Sequence, residues 1–220
     1  MVARGCPLPP FAVQAPLLSL AGILGTTPDS VPADVPYLFA DPARVAAWRE
    51  RLAARLPHGV RRIGLAWTGR PTHPNDRRRS MPLARLAPLA SAGRASFVSL
   101  QKPMPASDEA SLALFPELAD ISGELTDFGE TAAVIANLDL VITVDTAMGH
   151  LAGALGKPVW ILLPKASDWR WLLERSDSPW YPTVRLFRQQ VPGNWDPVLA
   201  EMSAALAGES RASAEGIAAD

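Results

Sequence analysis

The sequence predicts an α/β fold, a parallel β-sheet with helices on both faces. Short and nearly continuous apolar runs, strongest at residues 138–144 and 159–163, read as strands buried on both sides. They alternate with segments of helical spacing, the order that builds a parallel sheet. Proline supplies the third observation. Eight of its 22 residues lie in the first 42 positions and none lies between Pro116 and Pro158, which leaves that span free for central strands and unbroken helices.

Taken in order, residues 1–42 carry turn signals such as Thr26-Thr27-Pro28-Asp29-Ser30 and read as extended chain. A helix follows over 42–56, with Asp41 as N-cap, Pro42 at its first position and Val45, Trp48 and Leu52 at helical spacing. Pro57-His58-Gly59 stops it. Strands are predicted at 62–67 and 96–100 with a helix over 83–92 between them, and a short third strand at 120–122. A helix over 127–137 has Asp127 as cap and Glu130 three residues on. Strand 138–144 leads into helix 146–155, ended by Gly156, then come strands 159–163 and 184–187. From Gly208 the chain is small and polar, and fraying is expected.

Composition excludes several classes. With 48% hydrophobic residues the chain can bury a core, and a net charge of -1 gives no global pull toward nucleic acid or an anionic membrane surface. Cys6 is the only cysteine, so neither an intrachain disulfide nor a cysteine metal cluster can form. The apolar start following Met1-Val2-Ala3-Arg4 is broken by Pro7, Pro9, Pro10 and Pro16, unlike a signal peptide, and no run reaches the length of a membrane span. Three scattered histidines, 58, 73 and 150, show no metal-ligand spacing. Neither a nucleophile elbow, a P-loop nor a Gly-x-Gly-x-x-Gly turn is present.

In open parallel sheets ligands sit beyond the carboxyl ends of the strands, where helix N-termini offer free N–H groups. Three segments fall there. In residues 67–80, Thr68 and Gly69 permit close backbone approach while Arg77 and Arg79 offer planar forks for phosphate; a solvated basic turn is the alternative. In residues 144–158, Asp145 leaves the strand, Thr146 and Ala147 open the helix, and His150 lies one turn on. That set suits a phosphate at the helix start and a sugar hydroxyl on the carboxylate, or else an N-cap and a satisfied buried histidine. Residues 164–171 and 177–182 are rich in tryptophan and form either a platform for a ring or a seal over the sheet end. Asp127 could add a contact at its own helix start, although capping explains it as well.

The run from Leu138 to Trp160, with Asp145-Thr146-Ala147-Met148-Gly149-His150-Leu151-Ala152 at its centre, resembles the signature of glycosyltransferase family 9, the heptosyltransferases. It is similar above all to the family-9-like C-terminal domains of bacterial tetratricopeptide-repeat proteins. Those also carry segments like Gly64-Leu65-Ala66-Trp67-Thr68-Gly69, Asn75-Asp76-Arg77, Asp127-Phe128 and Asp168-Trp169-Arg170-Trp171. The resemblance covers roughly residues 11–190. It implies a Rossmann-like, donor-binding C-terminal lobe of a GT-B fold, at 58–195, preceded by an N-terminal-lobe remnant and connecting helix at 1–57 and followed by a helix and frayed tail at 196–220. The donor contacts it implies are Thr68, Gly69, Asn75, Arg77, Arg79, Asp127, Asp145, Thr146, Ala147, His150, Asp168 and Trp169, with an arginine of 77–79 in place of the family's lysine.

The ligand so implied is a nucleotide-diphosphate sugar, with no cofactor and no metal, and the transfer is inverting. Ala147 stands where heptosyltransferases more often have glycine, so ADP-heptose is not specified as donor. The family's carboxylate base lies on an N-terminal lobe that has no counterpart here, which makes a separate lobe or a tetratricopeptide-repeat protein the expected partner and incomplete catalysis the expected state. The location expected is cytoplasmic. The alternative is a non-catalytic interaction module derived from a GT-B domain; a sugar-nucleotide epimerase would need groups from both lobes.

Overall fold

The computed structural model describes residue 2 and residues 5–217, with side chains through Glu209. The start of the rejected leader (Met1, Ala3, Arg4) and residues 218–220 of the predicted tail lie outside the described residues. The chain divides into two units, residues 1–32 and 33–220. The first holds a 3-10 turn, Leu17–Ser19, continuing into a one-turn helix, α1 (Leu20–Ile23).

The second unit is built on a six-stranded sheet, β1 (Arg61–Ala66), β2 (Ala95–Ser99), β3 (Leu118–Asp120), β4 (Leu140–Val144), β5 (Val159–Leu163) and β6 (Val184–Arg188). All neighbours are parallel and the order is β3-β2-β1-β4-β5-β6. The chain therefore builds outward from β1 in one direction, returns, and builds in the other from β4, which sits beside β1 with Ile63 opposite Leu140. Every residue of β4 and β5 is buried, as their unbroken apolar patterns require.

Alternate side chains feed two cores. Val141, Ile161 and Leu163 face a layer containing Trp48 and Leu52 of α2 (Pro42–Arg55), Val134 of α4 (Phe128–Ala136) and Ala152 of α5 (Ala147–Ala154). Ile142, Val144 and Leu162 face a second layer with Val198, Met202 and Leu206 of α6 (Asp196–Ile217). Helices thus cover both faces. Helix α2, which the sequence groups with the N-terminal segment, buries its apolar stripe in this unit. Helix α6 continues to Ile217, beyond the expected fraying point at Gly208.

Besides α6, and the short turns at 17–23 in a stretch that reads as extended chain, two elements differ from the sequence expectation. The helix expected over 83–92 is instead a pair of 3-10 turns, Leu83–Arg85 and Ala87–Ser91, because Pro88 cannot donate to the preceding turn and clashes with it. The third strand lies two residues earlier than expected: pairing with β2, Phe97 opposite Leu118, sets its position rather than its own weak pattern. Among the described residues no helix is long and apolar enough to cross a membrane.

Candidate functional site

A cavity of about 870 Å³ opens beyond the carboxyl ends of the strands, lined by the segments that follow β1, β2, β4 and β5 and by the start of α4. The reversal of strand order between β1 and β4 separates their exit loops and leaves the crevice there, the usual ligand position in an open α/β sheet.

The loop after β1 is closed by its own side chains and by Gln101 of the β2 loop. Gln101 Oε1 accepts from the backbone N–H groups of Trp67 at 3.1 Å and Thr68 at 3.0 Å. The Gly69 N–H donates to Ser80 Oγ at 2.9 Å, and Ser80 Oγ–H donates to Asp76 Oδ1, also at 2.9 Å. Asp76 and Arg79 belong to a one-turn helix, α3 (Asp76–Arg79), and pair at 3.5 Å. Arg79 Nη1 then crosses to the β4 loop and donates to the Asp145 carbonyl at 2.6 Å. A Cβ on residue 69 would lie 2.4 Å from Arg79 Nη2 and 2.5 Å from Asp76 Oδ1. The space that glycine leaves is filled by these two side chains, not by a ligand.

The loop after β4 keeps its groups open. Thr146 caps α5, its Oγ1 accepting from the Met148 N–H at 3.3 Å and meeting Thr143 Oγ1 at 2.9 Å. Helix geometry leaves the Ala147 N–H without an intrahelical partner, and Ala147 lines the cavity. The Asp145 carboxylate has no hydrogen-bond partner among the described residues and acts on His150 only through space. At the far end, Gly156 at φ +70° closes α5: its N–H reaches the Gly153 carbonyl and the Lys157 N–H the Ala152 carbonyl, a Schellman arrangement.

His150 is partly buried. Its Nδ1 lies 3.1 Å from the Tyr181 hydroxyl, and its ring stacks on Trp171 at 5.2 Å between centroids and 20° between planes. Burial pulls its proton affinity below the ordinary histidine range; Asp145 opposes this, Arg170 reinforces it and Asp168 opposes it. Burial alone would raise Asp168, but the Arg170 N–H at 3.0 Å and its guanidinium at 2.8 Å hold that carboxyl below the usual range. The Glu130 N–H, bonded at 2.8 Å, does the same for Asp127, helped by Arg44 at 3.0 Å.

Of the residues singled out from sequence, Thr68, Gly69, Asn75, Arg79, Asp127, Asp145, Thr146, Ala147, His150 and Asp168 all line the cavity. Arg77 and Trp169 do not. Arg77 and Arg79 are two residues apart on one helical turn, about 200° around the axis, so when Arg79 turns inward Arg77 faces solvent. Trp169 is 63% exposed and packs edge-on against Trp180, with Arg170 over its ring at 4.7 Å. Asp127 makes its bonds as a cap and to Arg44. Not among the donor contacts expected from sequence are Arg70, Phe128 and Arg170, which lie in segments singled out from sequence, and Gln101 and Lys102, which do not; all five line the same cavity. Gln101 and Lys102 follow β2, so the strand-end rule applied to that strand would have found them. Lys102 Nζ rests on the Leu125 carbonyl and has no carboxylate partner among the described residues.

Fold and site together define a class, an α/β domain with a glycosyltransferase fold. Residues 106–171, from the approach to β3 through the Trp171 loop, match glycosyltransferase family 9 (heptosyltransferase). The chain superposes on the ADP-heptose LPS heptosyltransferase II of E. coli with a TM-score of 0.54 and 20% identity, covering 81% of this chain and 56% of that one. It superposes on a family 9 glycosyl transferase of Veillonella parvula with a TM-score of 0.56 and 17% identity, covering 78% and 47%. In sequence it is 33% identical over 190 residues to Protein FlbA of Caulobacter vibrioides, which covers 83% of this chain and 31% of FlbA. The chain thus spans about a third of FlbA and about half of the two structures.

Proposed function

We propose that residues 58–195 form the donor-binding lobe of a glycosyltransferase and take a nucleotide-diphosphate sugar into the cavity at the β1/β4 switch point. The carrying observation is that the open Ala147 N–H and the Asp145 carboxylate, which has no hydrogen-bond partner among the described residues, meet there on one loop, beside cations without a carboxylate partner among those residues. A helix N-terminus stabilises a diphosphate, and a free carboxylate accepts from sugar hydroxyls, so the pair can hold both halves of one ligand. Arg70 and Lys102 supply counter-charge from the walls, while Arg79 fixes the loop.

In a complete enzyme the transfer would be inverting and metal-independent, the departing diphosphate stabilised by the α5 terminus and the acceptor hydroxyl activated by a carboxylate from another lobe. That lobe, or a tetratricopeptide-repeat protein, is the partner we propose, in the cytoplasm. Calorimetric titration with ADP, UDP and GDP tests the reading. Binding of at least one, weakened at least tenfold by Asp145→Ala, is expected; no heat with any of the three at millimolar concentration would refute it.

A further inference from the structure

His150 has its Nδ1 turned away from solvent onto a hydroxyl that is itself held. Tyr37 donates to the Tyr181 oxygen at 3.4 Å, which leaves the proton of Tyr181 for His150 Nδ1 at 3.1 Å. Both tyrosines are packed against the helix that carries His150. The backbone N–H groups of Tyr37 and Leu38 both bond the Ala154 carbonyl, at 3.0 and 3.1 Å, so Tyr37 is moored to the last turn of the helix that carries His150. The Tyr181 ring lies against Gly153 of the same helix, where any Cβ would come within 2.7 Å of it. Trp171 stacks on the imidazole from another side.

We propose that Tyr37 and Tyr181 act as positioning residues that hold His150 in the tautomer carrying its proton on Nε2, so that the ring offers a hydrogen-bond donor to an oxyanion of the bound ligand. An imidazole whose Nδ1 accepts must carry its proton on Nε2. The charged groups acting on the ring are Asp145, Asp168 and Arg170; the two carboxylates favour its protonation and Arg170 opposes it. Burial keeps the ring neutral at physiological pH, so the donor is a neutral N–H rather than an added charge. The hydroxyl of Tyr181 is not a competing acid, because burial pushes it upward.

The role assigned to the donor rests on the function proposed above, whereas the tautomer does not require it. Nitrogen NMR of the imidazoles at pH 7.5, with His150→Gln to assign the resonance, therefore decides the tautomer in the ligand-free chain. Protonated Nε2 is expected in the wild type. Tyr181→Phe, which retains the ring over Gly153, should give a mixture of tautomers, and Tyr37→Phe a smaller shift in the same direction. Protonation at Nδ1 in the wild type, or an unchanged spectrum in Tyr181→Phe, overturns the proposal. Titration with inorganic pyrophosphate should then show an affinity about five- to tenfold lower in Tyr181→Phe; equal affinities would overturn the role of the donor. If the wild type binds neither pyrophosphate nor any nucleoside diphosphate, the functional reading and the donor's role fail together, and the spectrum still judges the tautomer.

Discussion

The two loops that meet at the switch point are built oppositely. The β1 loop has its backbone donors taken by side chains: Gln101 of the β2 loop takes the amides of Trp67 and Thr68, Ser80 takes that of Gly69, and Asp76 holds Ser80 and Arg79. The β4 loop leaves an amide and a carboxylate unpaired and rests on a buffer of aromatic rings below them. A loop whose amides are taken by side chains serves mainly as scaffold, here with Arg70 left to face the cavity, and one with open groups next to a helix terminus serves as receptor. Arg79 joins the two, because its guanidinium is anchored on the first and bonds the backbone of the second.

The contrast can be broken first from below the receptor. Gly153→Val forces a side chain into the Tyr181 ring and should cost about 3 kcal/mol in urea unfolding, as overpacked cores do, with loss of the His150 bond. Next, Arg79→Met strands the Asp145 carbonyl and leaves the Asp76 carboxylate with Ser80 but without its cation, for an expected loss of about 2 kcal/mol and weaker nucleoside diphosphate binding by calorimetry. Ser80→Ala touches the scaffold alone. It should cost about 1 kcal/mol and leave the affinity nearly intact; a large loss of affinity without loss of stability would show the β1 loop to be a receptor after all.

A pH series sharpens the comparison further. Because burial lowers the proton affinity of His150 in the folded chain, the unfolded chain binds more protons below its own pKa of about 6.5. Stability is therefore full above that value and falls with pH beneath it, until the folded histidine also titrates. His150→Gln should flatten the urea midpoint between pH 7 and 5.5, while the losses from Asp127 and Asp168, whose folded values are depressed, persist at more acid pH. The smallest effect is expected from Arg77→Ala, within about 0.5 kcal/mol and with unchanged binding, since Arg77 faces solvent.

Much of this was legible in the chain. Asp41 and Asp127 cap their helices as their spacing predicts, accepting from Arg44 and Glu130 N–H groups, and Gly156 ends α5 where a left-handed residue is needed. Ten of the site residues singled out line one cavity. Two readings changed in detail. Arg77 and Arg79 are equivalent by composition, and only the turn between them, together with the Asp145 carbonyl across the crevice, selects one. Gly69 lines the cavity as its position suggests, while the face where a Cβ would stand is taken by Arg79 and Asp76.

The sequence by itself determined the central strands, their burial, the helix caps and the loop that carries open groups, because those depend on neighbours a few residues away. Tertiary structure alone decided the strand order that sets β1 beside β4, the pairing of Arg79 with the β4 loop, and the contact of Tyr37 with Tyr181 across 144 residues. Such partners are chosen by competition among distant groups for the same space and the same hydrogen bonds, and no local pattern records which of them wins.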